Sequence, residues 1–104
     1  MTAGDTSDLR LLRFLQDWYL ANCDGKWEHQ YGVSIDTLDN PGWVLKIDTS
    51  RTTKPLCDRG SIDIEINDEV IWMTHKIEDG VFIAAGGPQR LGDMIAAFKA
   101  EVEK

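Results

Sequence analysis

Two cysteines, Cys23 and Cys57, and two histidines, His29 and His75, are the side chains of this 104-residue chain best suited to metal binding or nucleophilic attack. Zinc sites are usually built from close ligand pairs on short turns. Here successive candidates are separated by five, 27 and 17 residues, so the pattern reads as two small thiols and two polar imidazoles rather than a metal centre. Asp24, Glu28 and His29 could move protons. In a strand, however, Glu28 and His29 point to opposite faces, which leaves Asp24 as a turn residue and Glu28 as a hydrogen-bond acceptor. Thiolate chemistry needs a cationic neighbour or a helix N-terminus. Cys23 falls near a helix C-terminus, whose negative partial charge raises a thiol pKa, whereas Cys57 stands two residues from Arg59 and is the better candidate nucleophile. Gly86-Gly87-Pro88 precedes a helix but lacks the lysine and the serine or threonine of a phosphate loop.

A small set of elements must position these groups. Met1 to Thr6 reads as a frayed tail, and Ser7 or Asp8 then caps a helix carrying Leu11, Leu12, Phe14, Leu15, Trp18 and Tyr19. It stops between Asn22 and Gly25. From Trp27 the period becomes two, with Tyr31, Val33, Ile35 and Thr37 on one face. Asn40-Pro41-Gly42 forms a tight turn with its glycine at positive φ, and Trp43, Leu45 and Ile47 begin the return strand of a hairpin over residues 28–48. Thr49 to Arg59 is aperiodic and locally basic, the expected mobile connection. Ile62, Ile64 and Ile66 then alternate with Asp63, Glu65 and Asn67, and Asn67-Asp68 turns the chain into an apolar stretch from Val70 to Ile77. Glu78-Asp79-Gly80 makes the next hairpin turn, into Val81 to Ala85. Gly86-Gly87 ends the sheet, Pro88 opens the first turn of a helix, and Leu91, Met94, Ile95, Phe98 and Val102 form that helix's apolar face. The expected fold is a single α+β domain over residues 1–104, an antiparallel sheet of about five strands with an N-terminal and a C-terminal helix packed on its apolar face.

Composition bounds the partners. Eighteen acids against eleven bases give a net charge of -7, which repels nucleic acid and anionic membrane and favours a cationic protein. Most of that excess lies between Ser61 and Asp79, where Asp63, Glu65, Asp68, Glu69, Glu78 and Asp79 face Lys76 alone. The plain reading is a solvated sheet face that keeps the chain soluble. Two cysteines 34 residues apart, with no signal peptide and no apolar run of membrane-spanning length, fit a reduced, cytoplasmic protein.

Four tryptophans are many for this length. Trp18 and Tyr19 on the first helix and Trp72 in the apolar run read as core. Trp27 and Trp43 flank turns and serve either as lids over a small core or as binding anchors.

The segment Trp18-Tyr19, Asn22-Cys23-Asp24-Gly25, Trp27-Glu28-His29-Gln30-Tyr31-Gly32, Ile35, Thr37 and Asp39-Asn40-Pro41-Gly42-Trp43 resembles the immunity protein 53 family of bacterial polymorphic-toxin systems. The match covers about 30 residues of the N-terminal half. The resemblance implies a cytoplasmic protein that neutralises a cognate toxin domain, often a nuclease, by binding and occlusion, without catalysis and without a cofactor. A nuclease attracts phosphate through a basic face, to which an acidic partner is steered. The candidate toxin-binding residues are therefore Asp63, Glu65, Asp68, Glu69, Glu78 and Asp79 first, then Glu28, Asp36 and Asp39, with Trp27 and Trp43 as aromatic anchors. The alternative is a small cysteine-dependent enzyme such as a sulfurtransferase, using Cys57 or Cys23.

Overall fold

Apolar residues repeat at helical spacing toward both ends of the chain and alternate through its middle, and the backbone follows that division. The computed structural model describes residues 3–104, with side-chain surroundings from Asp8 onward. In order, the elements are α1 (Ala3–Asn22), α2 (Trp27–Gln30), β1 (Val33–Leu38), β2 (Gly42–Asp48), β3 (Arg59–Ile64), β4 (Met73–Glu78), β5 (Val81–Gly86) and α3 (Leu91–Val102). The strands form one antiparallel sheet in the order β1-β2-β5-β4-β3. This is the α+β class implied by the sequence pattern. The hairpins β1–β2 and β4–β5 meet through the β2–β5 pair, so the chain leaving β2 must pass β5 and β4 to reach the far edge. Thr49 anchors that departure. It is 1% exposed, its N–H and hydroxyl both donate to the Gly80 carbonyl, and its Oγ1 accepts the Leu56 N–H.

Strand register sorts the side chains into two faces. Leu45 and Ile47 of β2, Phe82 and Ala84 of β5, and Met73, His75 and Ile77 of β4 share the buried face. Over it lie Met94, Ile95 and Phe98 of α3 and Leu15 of α1. Phe98 is the hub, with ring centroids 5.0 Å from Trp18 and 5.4 Å from Phe82. The other face carries Val44 and Lys46 of β2 beside Ala85 and Ile83 of β5 and Thr74 and Lys76 of β4. It therefore mixes bases and aliphatics with Asp36, Asp63 and Glu78, instead of forming one acidic sheet surface.

Several local expectations are corrected. Helix α1 already includes Ala3, so Ser7 and Asp8 lie within it rather than at its cap, and Met1 and Thr2 of the expected tail lie outside the described residues. Leu12 and Tyr19 are exposed, because the apolar stripe of α1 runs through Leu11, Phe14, Leu15 and Trp18. Residues Trp27–Gln30 form a helical turn, not the start of a strand. Its orphan amides explain why: Asp24 Oδ1 accepts the N–H groups of Lys26 and Trp27, each at 2.9 Å, and the Glu28 carboxylate reaches back to the N–H groups of Asp24 and Gly25. Gly32, at φ +83, then lets the chain enter β1.

Gly42 is not at positive φ. It pairs with Leu38 across a three-residue loop, and glycine is required because a Cβ would overlap the Gly86 carbonyl. Val70 and Ile71 precede β4, held in a turn by Asp68 Oδ1, which accepts their N–H groups at 2.8 and 2.9 Å. Trp72 is consequently half-buried outside the core. Pro88 is the second residue of a turn closed by the Arg90 N–H to the Gly87 carbonyl at 3.1 Å, and α3 starts only at Leu91. The Asp79-Gly80 turn has both residues at positive φ, 55° and 79°, as a two-residue hairpin requires.

Candidate functional site: an acidic edge with exposed aliphatics

Every residue from Gly60 to Ile71 is exposed. The stretch comprises most of β3 and the connection to β4, and it carries Ile62, Ile64, Ile66, Val70 and Ile71, five of the eleven large apolar side chains exposed among the described residues. Register explains the first two. Ile62 pairs with His75 and Ile64 with Met73, so both belong to the helix side of the sheet, yet α3 packs over β5, β2 and β4 and meets β3 at its first residue, where Glu101 bonds Arg59, leaving Ile62 and Ile64 without a helix above them. Single exposed aliphatics are ordinary, whereas a contiguous set is the mark of an interaction surface.

Between these aliphatics stand four carboxylates, and no base occurs from Ile62 to Ile71. Asp63 faces the open side and accepts the Thr74 hydroxyl at 2.6 Å. Asp68 is occupied by its own turn; the Ile71 and Val70 amides hold its carboxyl below the usual carboxylate range and keep it charged. The carboxylates of Glu65 and Glu69 have no partner among the described residues, and both are exposed. Glu65 sits at φ 49, where the chain leaves β3.

The connection is fixed to the sheet by directional bonds. The Gly87 N–H donates to the Trp72 carbonyl at 2.9 Å, Arg90 Nε donates to the Ile71 carbonyl at 2.7 Å, and Trp43 Nε1 donates to the Pro88 carbonyl at 3.0 Å. Gly87 passes so close to Val70 that a Cβ would overlap its carbonyl. These contacts border a groove of about 620 Å³ whose lining includes Asn40, Pro41, Asp68, Glu69, Trp72 and Pro88.

The nine candidate carboxylates therefore do not form one patch. Asp63, Glu65, Asp68 and Glu69 lie on this edge, and Asp39 precedes the groove wall at Asn40. Glu78 and Asp79 sit at the opposite end of β4, about 16 Å along the strand at its usual rise. Glu78 pairs with Lys76 at 2.8 Å, and that hydrogen bond lowers its pKa. Asp36 accepts the Ser34 hydroxyl on the open sheet face. Glu28 is committed to the α2 turn, where its own amide and those of Asp24 and Gly25 lower its pKa. Trp27 is 2% exposed, wedged against Trp18 and Tyr19 with Nε1 donating to the Asp48 carbonyl, so it offers no surface to a partner. Trp43 is half-buried. Sequence reasoning missed Trp72 and the exposed isoleucines; the available signal was an Asp68 turn interrupting the apolar run before Met73.

The reactive groups are dispersed. Among the described residues no three His, Cys, Asp or Glu side chains come together as a metal site. Cys57 is exposed beside a larger groove at the other end of the molecule, lined by Trp18, Leu56 and Glu101, but the Arg59 guanidinium there is bonded to Glu101 at 2.8 Å. His75, expected to be an ordinary polar imidazole, is 8% exposed against Phe82 with Nδ1 unpartnered. No helix among the described residues is long and apolar enough to cross a membrane.

A family model described as immunity protein 53 matches residues 12–103. The chain belongs to that family. The matched span runs from α1 to the end of α3, so the exposed edge is part of the immunity protein 53 domain itself. Membership places the chain among immunity proteins, whose partner is a toxin protein. No curated protein and no solved structure matches the chain.

Proposed function

We propose that this chain neutralises a cognate polymorphic toxin, a basic nuclease-type domain, by covering its working surface, and that Gly60–Ile71 is the contact. The reading is supported most by one observation: four carboxylates and five exposed aliphatics occupy a single edge that internal bonds hold in place. Aliphatic area supplies affinity, while the carboxylates steer a cationic partner and set its orientation. Trp72 and Trp43, joined to the same end through the Gly87 and Pro88 backbone, are the aromatic anchors nearest the contact. Glu78, Asp79 and Asp36 serve at most as peripheral steering charges, and Glu28 and Trp27 hold the fold.

This inhibition needs no chemistry from the immunity protein, and both free cysteines suit the reduced cytoplasm in which it would meet its toxin. Commitment of Arg59 to Glu101 removes the cation that a Cys57 nucleophile would need, which favours binding over a sulfurtransferase-like reaction. The test is coexpression. Cells producing the toxin domain encoded beside this chain survive when the chain is present, and the Cys23→Ser/Cys57→Ser variant protects equally well. Death despite full expression of the folded chain would refute the immunity reading, and loss of protection on removing the thiols would favour the enzyme.

A further inference from the structure

The free edge of β3 has the composition of a strand awaiting a neighbour. Sheet order gives β3 a single partner, β4, so alternate N–H and C=O groups along it point outward unpaired. Proteins normally protect such an edge with a covering helix or loop, a proline, a short length, charged side chains or a β-bulge. Six residues long, β3 has no helix, proline or lysine over Ser61–Ile64; its register shift lies at the start of the strand, between Arg59 and Ile62, and the one charge over Ile62–Ile64 is Asp63, which already accepts the Thr74 hydroxyl of β4. The opposite edge, β1, differs: its two end residues, Val33 and Leu38, are half-buried, Ile35 is its one exposed large aliphatic, and it runs into Pro41.

We propose that a strand of the toxin adds to β3, extending the five-stranded sheet across the interface. The inference rests on the immunity reading and specifies its mode of contact. Strand addition gives main-chain hydrogen bonds for affinity and alternate side-chain positions for selectivity. On the helix side, Ile62 and Ile64 meet aliphatic side chains of the incoming strand; on the open side, Asp63, with Glu65 beyond the strand end, selects lysine or arginine. A second copy of this chain fits poorly. Pairing β3 with β3 would bring two copies of the Asp63–Glu69 carboxylate segment together, and Arg59, the one base of the strand, is already bonded to Glu101.

Hydrogen exchange of the full chain, free and bound to a catalytically inactive form of the toxin domain encoded beside it, tests the proposal. Amides over Ser61–Ile64 should slow by about tenfold or more in the complex, with those of β1 unchanged. Ile62→Lys/Ile64→Lys, which alters only exposed side chains, should weaken binding by about a hundredfold, and Ile35→Lys should not. A complex whose β3 amides exchange as in the free chain overturns strand addition alone, as does protection of β1 instead. Concentration-dependent protection of β3 in the free chain would assign the edge to self-association and overturn it too. Absence of any complex would overturn the immunity reading and this inference with it.

Discussion

At the scale of single residues, the polar groups that looked reactive are mostly employed in shaping the backbone. Asp24 and Glu28 hold five-residue geometry together by accepting four amides, and the buried Trp27 depends on that turn. Asp24→Ala should lower the thermal midpoint and shift tryptophan emission to longer wavelength as Trp27 loosens; an unchanged spectrum would show that the indole is held without the cap. His75 sets a pH dependence. Burial, reinforced by Arg59 and opposed by Glu101, lowers its pKa below 6.5, so the unfolded chain takes up a proton that the folded chain refuses. The stabilising contribution is complete above 6.5 and declines as pH falls below it toward the folded pKa. Urea unfolding at about pH 7.5 and about pH 5.5 should reveal this loss in the wild type and a flatter profile in His75→Leu. The carboxylates with lowered pKa, Asp24, Glu28, Asp68 and Glu78, add a second loss only as pH falls through the ordinary carboxylate range and below it. None of His75's burial was legible in the sequence, since alternation assigns a side chain to a face without saying which histidine sits under a helix.

At the scale of elements, strength of pattern decided what could be read. The α3 face of Met94, Ile95 and Phe98 and the Asp79-Gly80 hairpin follow directly from spacing and turn chemistry. Trp27–Gln30 was hidden because the alternation of Tyr31, Val33 and Ile35 extends smoothly back into it, and only the four-residue spacing of Asp24 and Glu28 hints at a capped turn. Likewise Val70 to Ile77 looks like one strand, although the Asp68 side chain holds its first two residues in a turn. The candidate edge was legible as an acidic segment but not as an uncovered one, because how far α3 reaches across the sheet is a tertiary matter. This difference in cover gives a contrast in stability. Phe98→Ala should cost about 3–5 kcal/mol, whereas Ile62→Ser and Ile64→Ser, at side chains still 36% and 37% exposed, should each cost clearly less, about 1–2 kcal/mol. Comparable losses in chemical denaturation would mean that the edge is packed in solution. Gly42→Ala should be strongly destabilising despite its small volume change, through the clash with Gly86, and a wild-type midpoint would show that the hairpin shifts to accommodate it.

For the molecule as a whole, the charge of -7 is uneven, and two of its unpaired carboxylates, Glu65 and Glu69, lie where apolar surface is also exposed. The mixed sheet face and the paired Glu78 contribute less to that polarity. Association with a basic toxin should therefore slow by about tenfold or more between low and physiological ionic strength, with dissociation less affected, as stopped-flow mixing would record. The most direct measurement is toxin affinity after charge reversal at Glu65 and Glu69, whose carboxylates hold no turn, compared with reversal at Glu78 and Asp79 at the distant end of β4. Glu65→Lys/Glu69→Lys is expected to weaken binding by at least about thirtyfold while the distant pair changes it by less than about threefold. Unchanged affinity in the first variant, or a larger loss in the second, would contradict the placement of the toxin on the β3 edge.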